Sequence, residues 1–159
     1  MIRVYTPEDL LTISKNDDVV LMNDLDFCNQ KIKCIIPEFR GVLNGNGFTI
    51  SNLLISDSIW GDEQKIALFT YISHAKIHSL TIREMKFVFP DSVYNPNVAA
   101  LGVEVNESVI ENVKIYVNTS NQREIPMLYE TNGTKVNDLE IICNGVSVKP
   151  IKYKEGSLI

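Results

Sequence analysis

The side chains best suited to chemistry are His78 and Glu111, which fall near the same point of a recurring eight-residue pattern. Ser51 and Asn137 fill that point in the other two copies. An imidazole beside a carboxylate could exchange a proton with a substrate. Polysaccharide-cleaving enzymes, however, need several such groups on one face, and this pattern supplies one polar type per copy. No enzymatic activity is therefore expected, and His78 with Glu111 stands as the best catalytic pair available. His74 and His78 have no partner at metal-ligand spacing. Asp24 and Asp26 in Asn23-Asp24-Leu25-Asp26 read as a turn rather than as metal ligands. Gly45-Asn46-Gly47 lacks the lysine and the following helix of a phosphate loop, so it reads as a turn that uses glycine for positive φ. No metal or cofactor is expected.

The residues suited to binding lie elsewhere. Two inserts interrupt the pattern, Ser56 to Lys65 and Pro90 to Asn97. The first carries Trp60, the only tryptophan, beside Asp62 and Glu63, and the second carries Tyr94. Aromatic residues on loops are frequent interface anchors. Glu104, Glu107 and Glu111 add an acidic cluster that could dock on a basic partner. These seven residues form the expected partner-binding set.

The elements that must position them come from the repeat. Phe48–Ile55, Ala75–Ile82, Ser108–Ile115 and Thr134–Ile141 share one pattern. The third place is β-branched and apolar (Ile50, Ile77, Ile110, Val136), the sixth is Leu or Val, and the eighth is Ile throughout. The fourth and fifth places are polar and read as a bend before a half-buried strand. Units about 26–33 residues apart signal an array whose apolar edges are buried by stacking.

Phe39-x-Gly41-x-Leu43-Asn44-Gly45-Asn46-Gly47-x-Thr49-Ile50-x-Asn52-Leu53 resembles a signature of bacterial and phage right-handed parallel β-helix proteins, with Asn44 where that pattern carries Asp. Ala67-Leu68-Phe69-x-Tyr71-Ile72 is similar to the run that follows it. The resemblance implies an all-β, right-handed parallel β-helix (a β-solenoid) of about four to five coils. A short N-terminal capping helix is expected to start at Thr6-Pro7-Glu8-Asp9, with Thr6 as N-cap and Pro7 at the first helical place. One domain over 1–159 is expected: a cap and first coil over 1–33, repeat coils over 34–145, and a lysine-guarded edge strand or tail over 146–159. The resemblance concerns architecture and carries little function.

Composition narrows the rest. The chain has 159 residues and a net charge of −5, which disfavours nucleic-acid binding through phosphates and allows a basic protein partner. No apolar run approaches a membrane span, and Met1 to Leu10 has no signal-peptide pattern. Cys28, Cys34 and Cys143 read as free thiols of a reducing compartment. A cytoplasmic, non-enzymatic protein-interaction module is therefore expected. Its concrete form is a phage or mobile-element inhibitor of a host defence complex, anti-CRISPR-like, acting by occlusion. The alternatives are a glycan-binding, adhesin-like or tail-associated module, and a polysaccharide lyase or hydrolase. Neither the partner nor the oligomeric state is legible.

Overall fold

The computed structural model describes residues 1–56, 65–89, 96–120 and 123–155. In chain order the elements are β1 (Ile2–Val4), α1 (Pro7–Leu11), β2 (Asp18–Leu21), β3 (Leu25–Asp26), β4 (Glu38–Phe39), β5 (Val42–Asn44), β6 (Thr49–Ser51) and β7 (Leu54–Ser56). There follow β8 (Lys65–Ile66), β9 (Phe69–Ser73), β10 (Lys76–Val88), β11 (Asn97–Val98), β12 (Gly102–Asn106) and β13 (Val109–Thr119). The chain ends with β14 (Leu128–Asn132), β15 (Lys135–Cys143), β16 (Val146–Val148) and β17 (Ile151–Lys154).

Three sheets result: a ten-stranded one running β1-β2-β5-β10-β13-β15-β16 with β3, β6 and β7 alongside, a five-stranded one ordered β17-β14-β12-β9-β4, and the pair β11-β8. One apolar core takes side chains from the two larger sheets. Its rows are in register. Val19, Leu43, Ile77, Ile110 and Val136 form one row, and Leu25, Ile50, Ile82, Ile115 and Ile141 another. Phe39, Ile72 and Val105 line the opposite wall.

All-β is the right class, but the closed right-handed parallel β-helix is not the architecture. The largest sheet is mixed, since β16 runs antiparallel to β15, and the described strands fall in separate sheets that form no closed solenoid. The local cause is the turn at Asn144-Gly145, where both residues have positive φ (50° and 82°). That is the backbone of a two-residue hairpin whose twist matches its flanking strands. Asn144 pins the hairpin to β13: its side chain accepts from the Thr119 N–H at 2.9 Å and donates to Thr119 Oγ1 at 3.0 Å.

The first copy of the repeat also shifts. Ile50 pairs with Ile82, and it is Leu43 that pairs with Ile77. Phe48–Ile55 is thus displaced by five places: its bend at Ser51-Asn52 stands beside Arg83-Glu84, and it is the turn Asn44-Gly45-Asn46-Gly47 that stands opposite His78-Ser79. Gly45 N–H donates to the His78 carbonyl at 2.9 Å and Gly47 N–H to that of Ser79 at 3.2 Å. The bends themselves form where the polar pairs predict them. Asn52, Ser79, Asn112 and Asp138, the four fifth-place residues, all take positive φ between 52° and 59°. Asn and Asp tolerate that region better than most residues do.

The expected N-terminal helix is α1. Thr6 Oγ1 accepts from the Asp9 N–H, and the Asp9 carboxylate accepts from the Thr6 N–H, both at 3.2 Å. This reciprocal capping box satisfies two donors that the helix leaves open. Leu10 and Ile13 pack into the core beside β1 and β2.

Candidate functional site

The two inserts leave and re-enter the fold side by side. Ser56, the first residue of the first insert, pairs with Val88, two residues before the second insert, and the last residues of the two inserts, Lys65 and Asn97, pair with each other. Each pair of stems is therefore one strand spacing apart, about 4.8 Å. Trp60, Asp62, Glu63 and Tyr94 lie outside the described residues.

At the base of the first insert is a cluster that links it to the five-stranded sheet. Lys65 Nζ stands 2.7 Å from Glu104 Oε2 and 3.4 Å from the Tyr71 hydroxyl, and 5.2 Å from the Tyr71 ring centre. The Glu104 carboxylate, and next the Tyr71 hydroxyl, push the Lys65 ammonium above the usual lysine range against the opposing effect of burial. Register places Glu38, Tyr71, Glu104, Glu130 and Tyr153 in one outward row across all five strands. Tyr71 and Tyr153 are exposed. Beneath the row, Ala67, Ala99 and Val103 form a small buried cluster against which Tyr129 packs. Tyr129 meets Tyr153 edge-on at 5.4 Å, and Lys152 lies over both rings at 5.1 and 5.6 Å.

The three cluster glutamates are not one patch. Glu104 is on the outer face of the five-stranded sheet, and Glu111 is on β13 in the ten-stranded one. Glu107 stands at the corner between them with φ 48°. Glu111 is paired with Lys76 Nζ at 3.4 Å, and Glu104 with Lys65. His78 and Glu111 do pair in register on neighbouring strands. Their side chains point their polar atoms elsewhere: His78 Nδ1 is 2.9 Å from Ser79 Oγ, and Glu111 is held by Lys76. Burial, and then the Lys76 charge, push the His78 imidazole below the usual histidine range, with Glu111 opposing.

The Asp24 and Asp26 carboxylates hold nearby chain in place. Asp24 Oδ1 accepts from the Thr49 N–H at 2.8 Å. Asp26 Oδ1 accepts from the Cys28 N–H at 2.8 Å and from Asn52 Nδ2 at 2.9 Å. No group of three or more His, Cys, Asp or Glu among the described residues could hold a metal ion. No described helix is long and apolar enough to cross a membrane.

Glu38, Lys65, Tyr71, Glu130 and Tyr153 are additions to the expected set. For Tyr71 and Glu130 a signal existed. Tyr71, Glu104 and Glu130 each stand two or three residues past the apolar runs Ala67-Leu68-Phe69, Ala100-Leu101 and Met127-Leu128. Aligning those runs in addition to the bends would have brought the row out. No family model matches the chain, and neither a curated protein nor a solved structure matches it.

Proposed function

We propose that the chain is a non-enzymatic protein-interaction module whose contact surface joins the two inserts to the outer face of the five-stranded sheet. The observation that carries this is the in-register row Glu38, Tyr71, Glu104, Glu130, Tyr153, anchored to the first insert through Lys65. A sheet face holds such a row in place without ordering side chains from a flexible loop, so little entropy is lost on binding. The Glu130 carboxylate and two exposed rings, beside Glu38 and Glu104 that Arg40 and Lys65 already pair, suit a partner with a basic, arginine-bearing surface. The acidic net charge of −5 speeds encounter with such a surface. Occlusion of a basic channel in a nucleic-acid-handling complex, the anti-CRISPR-like form of this function, fits the same chemistry. The free thiols of Cys28 and Cys143 fit a cytoplasmic setting.

The test is affinity capture from lysate, comparing the parent with Tyr71→Ala/Glu104→Arg and with Trp60→Ala/Tyr94→Ala. One dominant protein bound by the parent and lost by the first variant supports the proposal. Equal capture by all three removes this face as the site. Capture of nothing, with saccharide binding that depends on Tyr71 or Tyr153, replaces the protein partner with a glycan.

A further inference from the structure

At the far end of the ten-stranded sheet, β15 has a half-open edge. β16 pairs only with Ile141, Ile142 and Cys143. On the side away from β13, no described strand pairs with Lys135–Glu140. Beside this stretch runs a groove of about 440 Å³, with Val136, Asn137, Asp138 and Leu139 on one wall and Lys149, Pro150, Ile151 and Lys154 on the other.

Burial along each row shows what the groove lacks. Ile77 and Ile110 are wholly buried, and Val136, next in their row, is only partly so. Leu80 and Val113 are 2% and 1% exposed, whereas Leu139 beyond them is partly exposed. One more strand would complete both rows and supply partners for the backbone groups of β15. An unpaired edge offers main-chain hydrogen bonds, and the pockets between its side chains select the residues of the incoming strand. A lipid or small aliphatic ligand could cover Val136 and Leu139 but would leave that backbone unpaired.

We propose that this groove binds an extended peptide segment of a partner protein as an added β-strand. The segment carries aliphatic side chains over Val136 and Leu139 and an acidic one near Lys149. Charge supports the last feature: Lys149 lines the groove and makes no ion pair with a described residue. The site shares β17 with the outward row, through Ile151 and Lys154 rather than Tyr153, and does not rest on the function proposed for that row.

A suitable probe is the capped, fluorescently labelled peptide Val-Ile-Glu-Asn-Val-Lys, the sequence of Val109 to Lys114, which already pairs with the other edge of β15. We expect saturable binding to the parent chain, with amide shifts centred on Lys135–Glu140. Leu139→Lys should weaken binding at least tenfold. Lys149→Glu, a surface change that leaves folding intact, should weaken it severalfold, and Tyr71→Ala should leave it unchanged. No saturable binding to the parent, or equal binding by the Leu139 and Lys149 variants, overturns the proposal. So does binding only by a chain ending at Glu155, which would assign the groove to the chain's own last residues. A parent dimer dispersed by Leu139→Lys would assign it to a second copy, with the same consequence.

Discussion

The two ends of the ten-stranded sheet are built differently. At the N-terminal end, β1 covers β2, α1 closes the corner, and Val19, Leu21 and Leu10 are wholly buried. At the C-terminal end, the row mates Val136 and Leu139 stay partly exposed, and the closing hairpin covers only the last residues of β15. Both ends face the same problem, an unpaired strand edge. One is closed by a capped helix packed on apolar side chains. The other is reversed by a two-residue turn that leaves six residues of edge open. Stability should therefore concentrate at the first end, and adaptability at the second.

The sharpest way to break this contrast is with glycine. A Cβ on Gly41 would overlap the Asp17 carbonyl oxygen, a backbone atom of the chain just before β2. Gly41→Ala is expected to cost about 3 kcal/mol or more. A Cβ on Gly145 meets nothing within 4 Å, but its φ of 82° suits glycine, so Gly145→Ala should cost about 1–2 kcal/mol. Urea unfolding of both variants checks the order. Equal costs would mean that the ends are equally tight.

The next comparison holds the side chain fixed and changes only its row position. Leu80 and Leu139 share one row, the former 2% exposed and the latter at the open end. Leu80→Ala should cost about 2–5 kcal/mol, since removing a fully buried leucine leaves a cavity. Leu139→Ala should cost about 1 kcal/mol, because part of its surface already meets solvent. A smaller effect is expected at the cap. Thr6→Ala removes one half of the capping box and should cost about 1 kcal/mol, with loss of amide protection confined to α1 and β1.

The bends and apolar rows were legible because they are local. Asn52, Ser79, Asn112 and Asp138 all stand at the bends that their polar pairs mark, each with positive φ. The pairing of the first copy was not legible. Its bend at Ser51-Asn52 has the same polar and apolar pattern as the bend at His78-Ser79 but stands one corner further along, beside Arg83-Glu84, and a pattern match cannot tell one corner from the next. The hairpin had a plain signal in Cys143-Asn144-Gly145-Val146, an Asn-Gly pair between apolar residues. The repeat outweighed it, and with it went the mixed sheet. Of the site residues, Glu104 was read directly and Tyr71 was within reach of the aligned apolar runs, but the Lys65 contact with Glu104 joins residues 39 apart and depends on long-range register. Grouping Glu104, Glu107 and Glu111 by sequence proximity failed for a physical reason: the corner at Glu107 sends its two neighbours onto different sheets.

The finest test of the two ends is pH. Asp26, beside the N-terminal end, accepts from Asn52 Nδ2 and from the Cys28 N–H. Those hydrogen bonds, the Asn52 one foremost, hold its carboxyl below the usual carboxylate range. A carboxylate whose folded pKa lies below its unfolded value favours the folded state at any pH above the unfolded value. That contribution shrinks as pH falls below the ordinary carboxylate range, and it is gone once pH passes under the lowered folded value. Amide protection around β3 and β6 should therefore decline on acidification in the parent. In Asp26→Asn, which keeps an acceptor oxygen without the titrating charge, the same amides should show a flatter profile. Amides of β15 should respond alike in both proteins, because Asp26 touches neither β15 nor its hairpin. A change at β15 that follows the Asp26 titration would show that the two ends open together, and the contrast between a closed end and an adaptable one would then fail.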